Sequence, residues 1–301
     1  MYRVLRSSVA PSLPIFLLLL APVSFAQFGA NPPAPPPEHV VPVFGQLIHY
    51  WDMGAGPVVV LLHGLGDRKE SWLPVIPALA KSYRVLAPDQ IGFGKSAKPL
   101  LDYTVETYVD FLDEFLRELK IEKIDLVGES LGGWIAGLYA VDSSSDAHMV
   151  PLERLVLVDA AGLRQMRPVP NLNPSTLGGM RRLLEAVFYD TSWLNDAELR
   201  RIFADKLAAN DAYTVHSIMT NPVVPTEVLD ERLGEIHVPT LVLWGKQDQL
   251  LPLAAGQRYA SGIAGARLVT FDHCGHVPGQ EKTAEFLAAL TGFLGGPRGA
   301  N

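Results

Sequence analysis

The sequence predicts a mixed α/β domain: a mostly parallel central sheet, helices on both of its faces, and a helical cap inserted after the sixth strand. Three observations predict it. Short β-branched apolar runs alternate with longer segments whose apolar residues recur near every 3.6 positions, the pattern of a parallel sheet with crossover helices. The alternation stops for about 80 residues between Val158 and Thr240 and then resumes. Apolar residues make up 48% of the 301 and charged residues 19%, enough to bury a full core and unlike a disordered composition.

The chain opens with Arg3 and Arg6, an apolar stretch from Leu13 to Val23, and Ser24-Phe25-Ala26. These are the three parts of a secretory signal peptide, residues 1–26, cut after Ala26. An exported protein, periplasmic or secreted, is therefore expected. The alternative is an uncleaved N-terminal membrane anchor, but a span needs about 20 apolar residues, and this stretch is shorter and edged by Pro14 and Pro22. Residues 27–38 follow as a Pro-rich linker, stiff and extended. The folded domain is expected over 39–301, with its core at 39–160 and 236–301 and the cap at about 161–235.

Within the core, Pro57–Leu62, Tyr83–Ala87, Ile124–Val127, Leu155–Val158, Thr240–Trp244 and Ala266–Phe271 read as strands. Phe44–Trp51 reads as an added antiparallel edge hairpin. Thr104–Leu119 carries Val105, Tyr108, Phe111, Leu112, Phe115, Leu116 and Leu119 on one helical stripe. Leu131–Ala140, Ala254–Ile263 and Glu281–Phe293 also read as helices. In the cap, Leu177–Tyr189, Asp196–Ala209 and Ala212–Met219 do so.

Charge and cysteine content narrow the function. The net charge is −7, with no clustered Lys or Arg, so nucleic acid is not an expected partner. A single cysteine, Cys274, makes no internal disulfide, zinc finger or iron–sulfur site. It reads as a small buried packing residue.

Gly128-Glu-Ser130-Leu-Gly132 lies between a predicted strand and a predicted helix. G-x-S-x-G in that place presents a serine oxygen on a tight turn at the sheet edge, with a helix N-terminus behind it. Serine needs a base. His276, after the last strand, is the candidate, with His273 as its competitor. An acid must orient that base. Asp248 follows the strand Thr240–Trp244, and Asp159 is the runner-up. Ser130, Asp248 and His276 then stand in the order Ser…Asp…His. An oxyanion hole is expected from the backbone N–H groups of Leu65, in His63-Gly64-Leu65-Gly66, and of Leu131. His63 itself reads as a structural hydrogen-bonder, and Asp89–Ser96 as a supporting turn. His273 and His276 lack a third ligand at suitable spacing, so neither a metal nor a cofactor is expected.

With these pieces in place, the sequence resembles the α/β-hydrolase superfamily. The resemblance rests on His63–Gly66, Asp89–Ser96, Gly128–Gly133, Trp244–Asp248 and Gly275-His276, in order across nearly the whole expected domain. It implies the α/β-hydrolase fold. Trp244–Gln249 and His273–His276 are similar both to monoacylglycerol-lipase-like esterases and lipases and to carbon–carbon bond hydrolases of ring-fission products. Relatives that use an aspartate nucleophile, epoxide hydrolases and dehalogenases, are disfavoured by Ser130.

The leading expectation is a carboxylesterase or lipase working through an acyl-enzyme on Ser130, with a small-molecule ester substrate and transient contact with lipid. The alternative is a carbon–carbon bond hydrolase. Its acidic substrates would suit a cap arginine from among Arg164, Arg167, Arg181 and Arg182. The third reading is a non-catalytic ligand-binding homologue. Leu177, Met180, Leu183, Leu184, Val187, Phe188, Trp193 and Met219 are candidates for an acyl pocket, or for cap packing, and Trp134 reads as core. Oligomeric state is not legible.

Overall fold

The structure is a computed structural model and describes residues 34–164 and 169–296. The expected signal peptide, the linker up to residue 33 and Arg167 lie outside the described residues. Among the described residues, no helix is long and apolar enough to cross a membrane.

Eight strands form one sheet in the order β1-β2-β4-β3-β5-β6-β7-β8. The hairpin of β1 (Glu38–Val43) and β2 (Gln46–Met53) turns through Phe44-Gly45, both at positive φ. Such a turn matches the twist of antiparallel strands. The hairpin starts before Phe44 because β1 is an edge strand whose outer residues are exposed, which weakens its apolar signal. From β4 (Arg84–Pro88) onward every pairing is parallel. β3 (Val58–Leu62), β5 (Ile124–Glu129), β6 (Leu152–Val158) and β7 (Thr240–Gly245) occupy the centre, and β8 (Arg267–Phe271) closes the far edge. Central strands covered on both faces are apolar over most of their length, hence runs such as Val58–Leu62; where charge enters, Arg154 of β6 pairs with Asp125 of β5.

On one face, α1 (Ile76–Leu79) buries Ile76 and Leu79 against Trp72, Phe271 and Phe286. On the other lie α2 (Val105–Glu118) and α3 (Leu131–Ser145). Thr104 starts α2 with a capping box, its side chain and that of Thr107 bonding each other's backbone N–H groups. Beyond β6 come α4 (Leu177–Val187), α5 (Asp196–Ala209) and α6 (Ala212–Thr220). The chain then returns through β7, α7 (Leu253–Gly262), β8, the short α8 (Pro278–Glu281) and α9 (Thr283–Leu294), which faces α1.

The insertion has a small core of its own. Met180, Leu184, Leu194 and Leu199 bury one another, with Leu177, Leu183, Phe188 and Trp193 packed around them. Most of the residues considered as an acyl-pocket lining therefore hold α4 to α5, whereas Val187 packs on the main core and Met219 is 49% exposed. α6 joins the main core through Val215 and Ile218. The exit of the insertion is tied down by Glu227, whose carboxylate accepts from Val105 N and Glu106 N, both 2.9 Å, at the start of α2. A carboxylate at a helix N-terminus satisfies donors that the helix itself leaves open. Glu227 O accepts from Trp134 Nε1 at 2.9 Å, so Trp134 is an anchor for this segment as well as a packing residue.

A buried ion pair fixes the loops beside the sheet edge. Lys69, fully buried, places Nζ 2.6 Å from Asp89 Oδ2 and 5.6 Å from the centre of the Trp51 ring. Lys69 N and Lys95 N donate to the same carboxylate. Removing one partner leaves a buried charge unmatched, which costs about 3–5 kcal/mol. Lys69→Met is accordingly expected to lower unfolding stability by about that amount in urea titration at pH 7, whereas Lys81→Met, on the exposed end of the α1 turn, should change it little.

Candidate active site

The sequence of β5 and α3 dictates a sharp turn between them. Ser130 sits at φ 54 and ψ −116, a backbone state that costs an ordinary side chain about 1–3 kcal/mol. Strand and helix meet so closely there that a Cβ on Gly128 would stand 2.1 Å from Gly132 O. A Cβ on Gly132 would stand 2.4 Å from Leu62 O. No side chain fits either position, which is the physical content of G-x-S-x-G.

The turn after β3 lies against the serine. The Cβ position of Gly64 is 3.2 Å from Ser130 Cβ and 3.7 Å from its Oγ. His63, fully buried, holds that turn: Nδ1 bonds Gly64 O at 2.8 Å, and Nε2 accepts from Gln90 N at 3.0 Å. Gln90 Nε2 donates to His63 O. His63 is thus a structural hydrogen-bonder, and the Asp89–Ser96 turn that carries Gln90 supports the site. Leu131 N–H is at the open start of α3, and Leu65 N–H lies in the adjoining turn. Among the described hydrogen bonds neither is engaged.

His276 is buried, and its Nδ1 is 2.7 Å from Asp248 Oδ2. Asp248 Oδ1 accepts from Leu250 N at 2.7 Å and Leu251 N at 3.0 Å. With Nδ1 as donor, Nε2 is the acceptor nitrogen, and among the described residues it is buried without a hydrogen-bond partner. Ser130 Oγ does not bond it here, as is common before substrate tightens such a site. The elbow reaches this pair through Asp159. Ser130 N donates to Val158 O and Ala161 N donates to Ser130 O, on either side of Asp159. Asp159, Asp248 and His276 bring one ligating atom each within 4.8 Å of one another.

Of the alternatives, His273 is exposed, with its ring 5.4 Å from that of Tyr189, and is remote from the role of base. Asp159 is fully buried but bonds no histidine; Gly245 N donates to its Oδ1 at 3.0 Å. Burial pushes the Cys274 thiol far up, which makes it inert. Arg164 pairs with Glu231 and Arg181 with Asp196 on the surface, and Arg182 is exposed.

Two site residues escape the sequence motifs. Glu281 Oε1 accepts from Gly275 N at 2.8 Å, and its Oε2 from Tyr189 N at 2.7 Å. It ties the histidine loop to the end of α4, where Val187 O also accepts from His276 N at 2.7 Å. Lys206, on α5, brings Nζ within 3.5 Å of the Cβ position of Gly66, in the turn after β3, and pairs with Asp211 at 2.5 Å. The approaches of Glu281 to Tyr189 and of Lys206 to Gly66 follow no local pattern, since each joins segments distant in the chain.

A model described as "Alpha/beta hydrolase family" matches residues 59–290. The chain belongs to the alpha/beta hydrolase family. It is 32% identical over 268 residues to a 2-hydroxy-6-oxo-6-(2'-aminophenyl)hexa-2,4-dienoic acid hydrolase of Metapseudomonas resinovorans, covering 85% of this chain and 90% of that one. A solved meta-cleavage product hydrolase from Pseudomonas fluorescens IP01 superimposes with a TM-score of 0.76 at 30% identity, covering 85% of this chain and 97% of that one. A solved bacterial membrane phospholipase A gives 0.73 at 28%, covering 86% of each. The α/β-hydrolase fold expected from the sequence is the fold found, with its cap after the sixth strand.

Burial pushes the Glu129 carboxyl, next to the serine, far above the ordinary range, and nearby Asp67, Asp248 and Glu281 add to it. A raised native pKa gives a contribution that is complete below the unfolded value of about 4.3 and is lost as pH rises towards the native value. Glu129→Gln removes that loss. Calorimetry should find the variant's Tm, relative to the parent, higher at pH 8 than at pH 4.5.

Proposed function

We propose that this chain is a serine-dependent hydrolase that cleaves a carbon–carbon bond beside a ketone, with Ser130 as nucleophile, His276 as base and Asp248 as the acid that orients it. The observation that carries the reading is the 2.7 Å His276–Asp248 contact with Nε2 unpartnered at the edge where Ser130 turns. Similarity to hydrolases named for dienoic acids and meta-cleavage products supports the choice of bond.

In this mechanism His276 Nε2 takes the Ser130 proton as Oγ attacks the ketone carbon. The new oxyanion is stabilised by Leu65 N–H and Leu131 N–H. Its collapse breaks the carbon–carbon bond. The departing electron pair must spread onto a second carbonyl, so a 2-hydroxy-6-oxo-dienoate must first ketonise, losing its 2-OH proton and gaining one at the carbon beside the ketone; cleavage then leaves a dienolate, which is why this substrate class is suitable. The proton on His276 goes to that departing carbon. Water, activated by His276, then releases the acyl group from Ser130. Lys206 beside the oxyanion turn favours an acidic substrate, although Asp211 shares its charge.

Carboxylic-ester hydrolysis uses the same residues and is the second reading. The similarity to a membrane phospholipase A favours it, as does the N-terminal export pattern. Under either reading we also propose export, for which mass spectrometry of protein recovered outside the cytoplasm should find a mature N-terminus at Gln27, as glutamine or its cyclised form.

The purified protein should be assayed on a 2-hydroxy-6-oxo-dienoate, by loss of its visible absorbance, and on p-nitrophenyl esters from acetyl to palmitoyl. Serine-dependent loss of the dienoate is expected, and Ser130→Ala should abolish it with the fold retained. Ester turnover without dienoate turnover would transfer the assignment to the ester reading. Asp248→Asn should lower kcat on the order of 10⁴, by analogy with the serine-protease aspartate; a smaller loss than from Asp159→Asn would reassign the acid.

A further inference from the structure

The site holds one more acid than the proposed mechanism uses. Asp159 follows β6 directly, at φ 39, outside the backbone range that an aspartate ordinarily takes. It is fully buried. Gly245 N donates to Oδ1, and Oδ2 is buried with no donor in reach among the described residues. Its carboxyl lies with Asp248 and His276 in a cluster whose ligating atoms are within 4.8 Å of one another.

Two buried carboxyls this close do not both ionise. Donor supply decides which one keeps the proton. Asp248 receives Leu250 N, Leu251 N and His276 Nδ1, whereas Asp159 receives Gly245 N alone. The other charged groups bearing on Asp159 do not favour its ionisation. Asp248 lies beyond β7 and Glu129 ends β5, and both are acidic. Cys274 and His276 arrive from the loop after β8. Burial first, and then Asp248, push Asp159 well above the carboxylate range.

We infer that Asp159 is a positioning residue that remains a neutral acid at working pH and gives its O–H to Asp248. The O–H withdraws charge from Asp248. His276 is thereby kept less basic than a histidine on an isolated carboxylate, so that it is unprotonated and ready to accept the Ser130 proton. This role rests on the Ser130–His276–Asp248 reading.

The test begins with a measurement that needs no substrate. Infrared difference spectra of the parent against Asp159→Asn at pH 8 should show a protonated-carboxyl C=O band that the variant lacks; a carboxylate band lost instead overturns the inference. The His276 imidazole is then titrated by NMR. Asp159→Asn, neutral and still a donor, should leave its pKa within about 0.3 units, whereas Asp159→Ala should raise it by half a unit or more. The acid limb of kcat/KM on whichever substrate is turned over should follow. A fall in the histidine pKa with Asp159→Asn would mean that Asp159 is ionised and would also overturn the inference. Infrared and NMR results that stand while Ser130→Ala retains turnover would instead sink the serine mechanism, which separates the two failures.

Discussion

Everything at the reactive edge depends on how closely α3 approaches β5. The helix can start directly from the strand only if the backbone at Ser130 turns through a strained state and the residues two before and two after carry no side chain. The strain of about 1–3 kcal/mol is small beside the burial of the strand and the helix that impose it. The same approach brings Leu131 N–H, the turn after β3 and the end of β6 around one oxygen. Loosening it would shift the elbow against both neighbours together, because Gly64 lies against Ser130 and Ser130 bonds Val158 and Ala161.

The second level of organisation is the management of buried acids. Asp89 and Asp159 are both fully buried aspartates at strand ends, with opposite surroundings. Asp89 meets an ammonium at 2.6 Å and two further N–H groups, and it holds two loops in place. Asp159 meets one N–H and two other acids. Glu129 and Glu281 add to that concentration, and burial raises both. A cluster of this kind is poor for stability and useful for tuning a base, a balance seen at sites where function outweighs packing.

The sequence made the central strands legible because burial on both faces leaves no polar residue to interrupt Val58–Leu62 or Thr240–Trp244. Ser130, Asp248 and His276 could be picked out as candidates because each follows a strand, and strands can be counted; the structure brings Asp248 and His276 into contact. α1 and α8 were not foreseen, since four residues are too few to show a period. The fate of the cap residues was not legible either. Leu184 and Phe188 have the same apolar signature whether they face a ligand or each other's helices, and only the packing of α4 on α5 separates the two. Glu227 and Glu281 act across the chain on backbone groups, and a backbone donor has no letter in the sequence.

The bond from His276 N to Val187 O has a consequence for recombining such proteins. Gly275 is so near the end of α4 that a Cβ there would stand 2.3 Å from the same carbonyl. The insertion is therefore part of the seat of His276, and not a cover that can be exchanged by itself. A chimera that takes this segment from a homologue, to acquire its preference for other molecules, inherits a new ledge under the histidine. Such grafts would succeed only when the junction after α4 is kept in register with residues 275–276, so the natural crossover point lies before residue 187 and not at the end of the inserted helices.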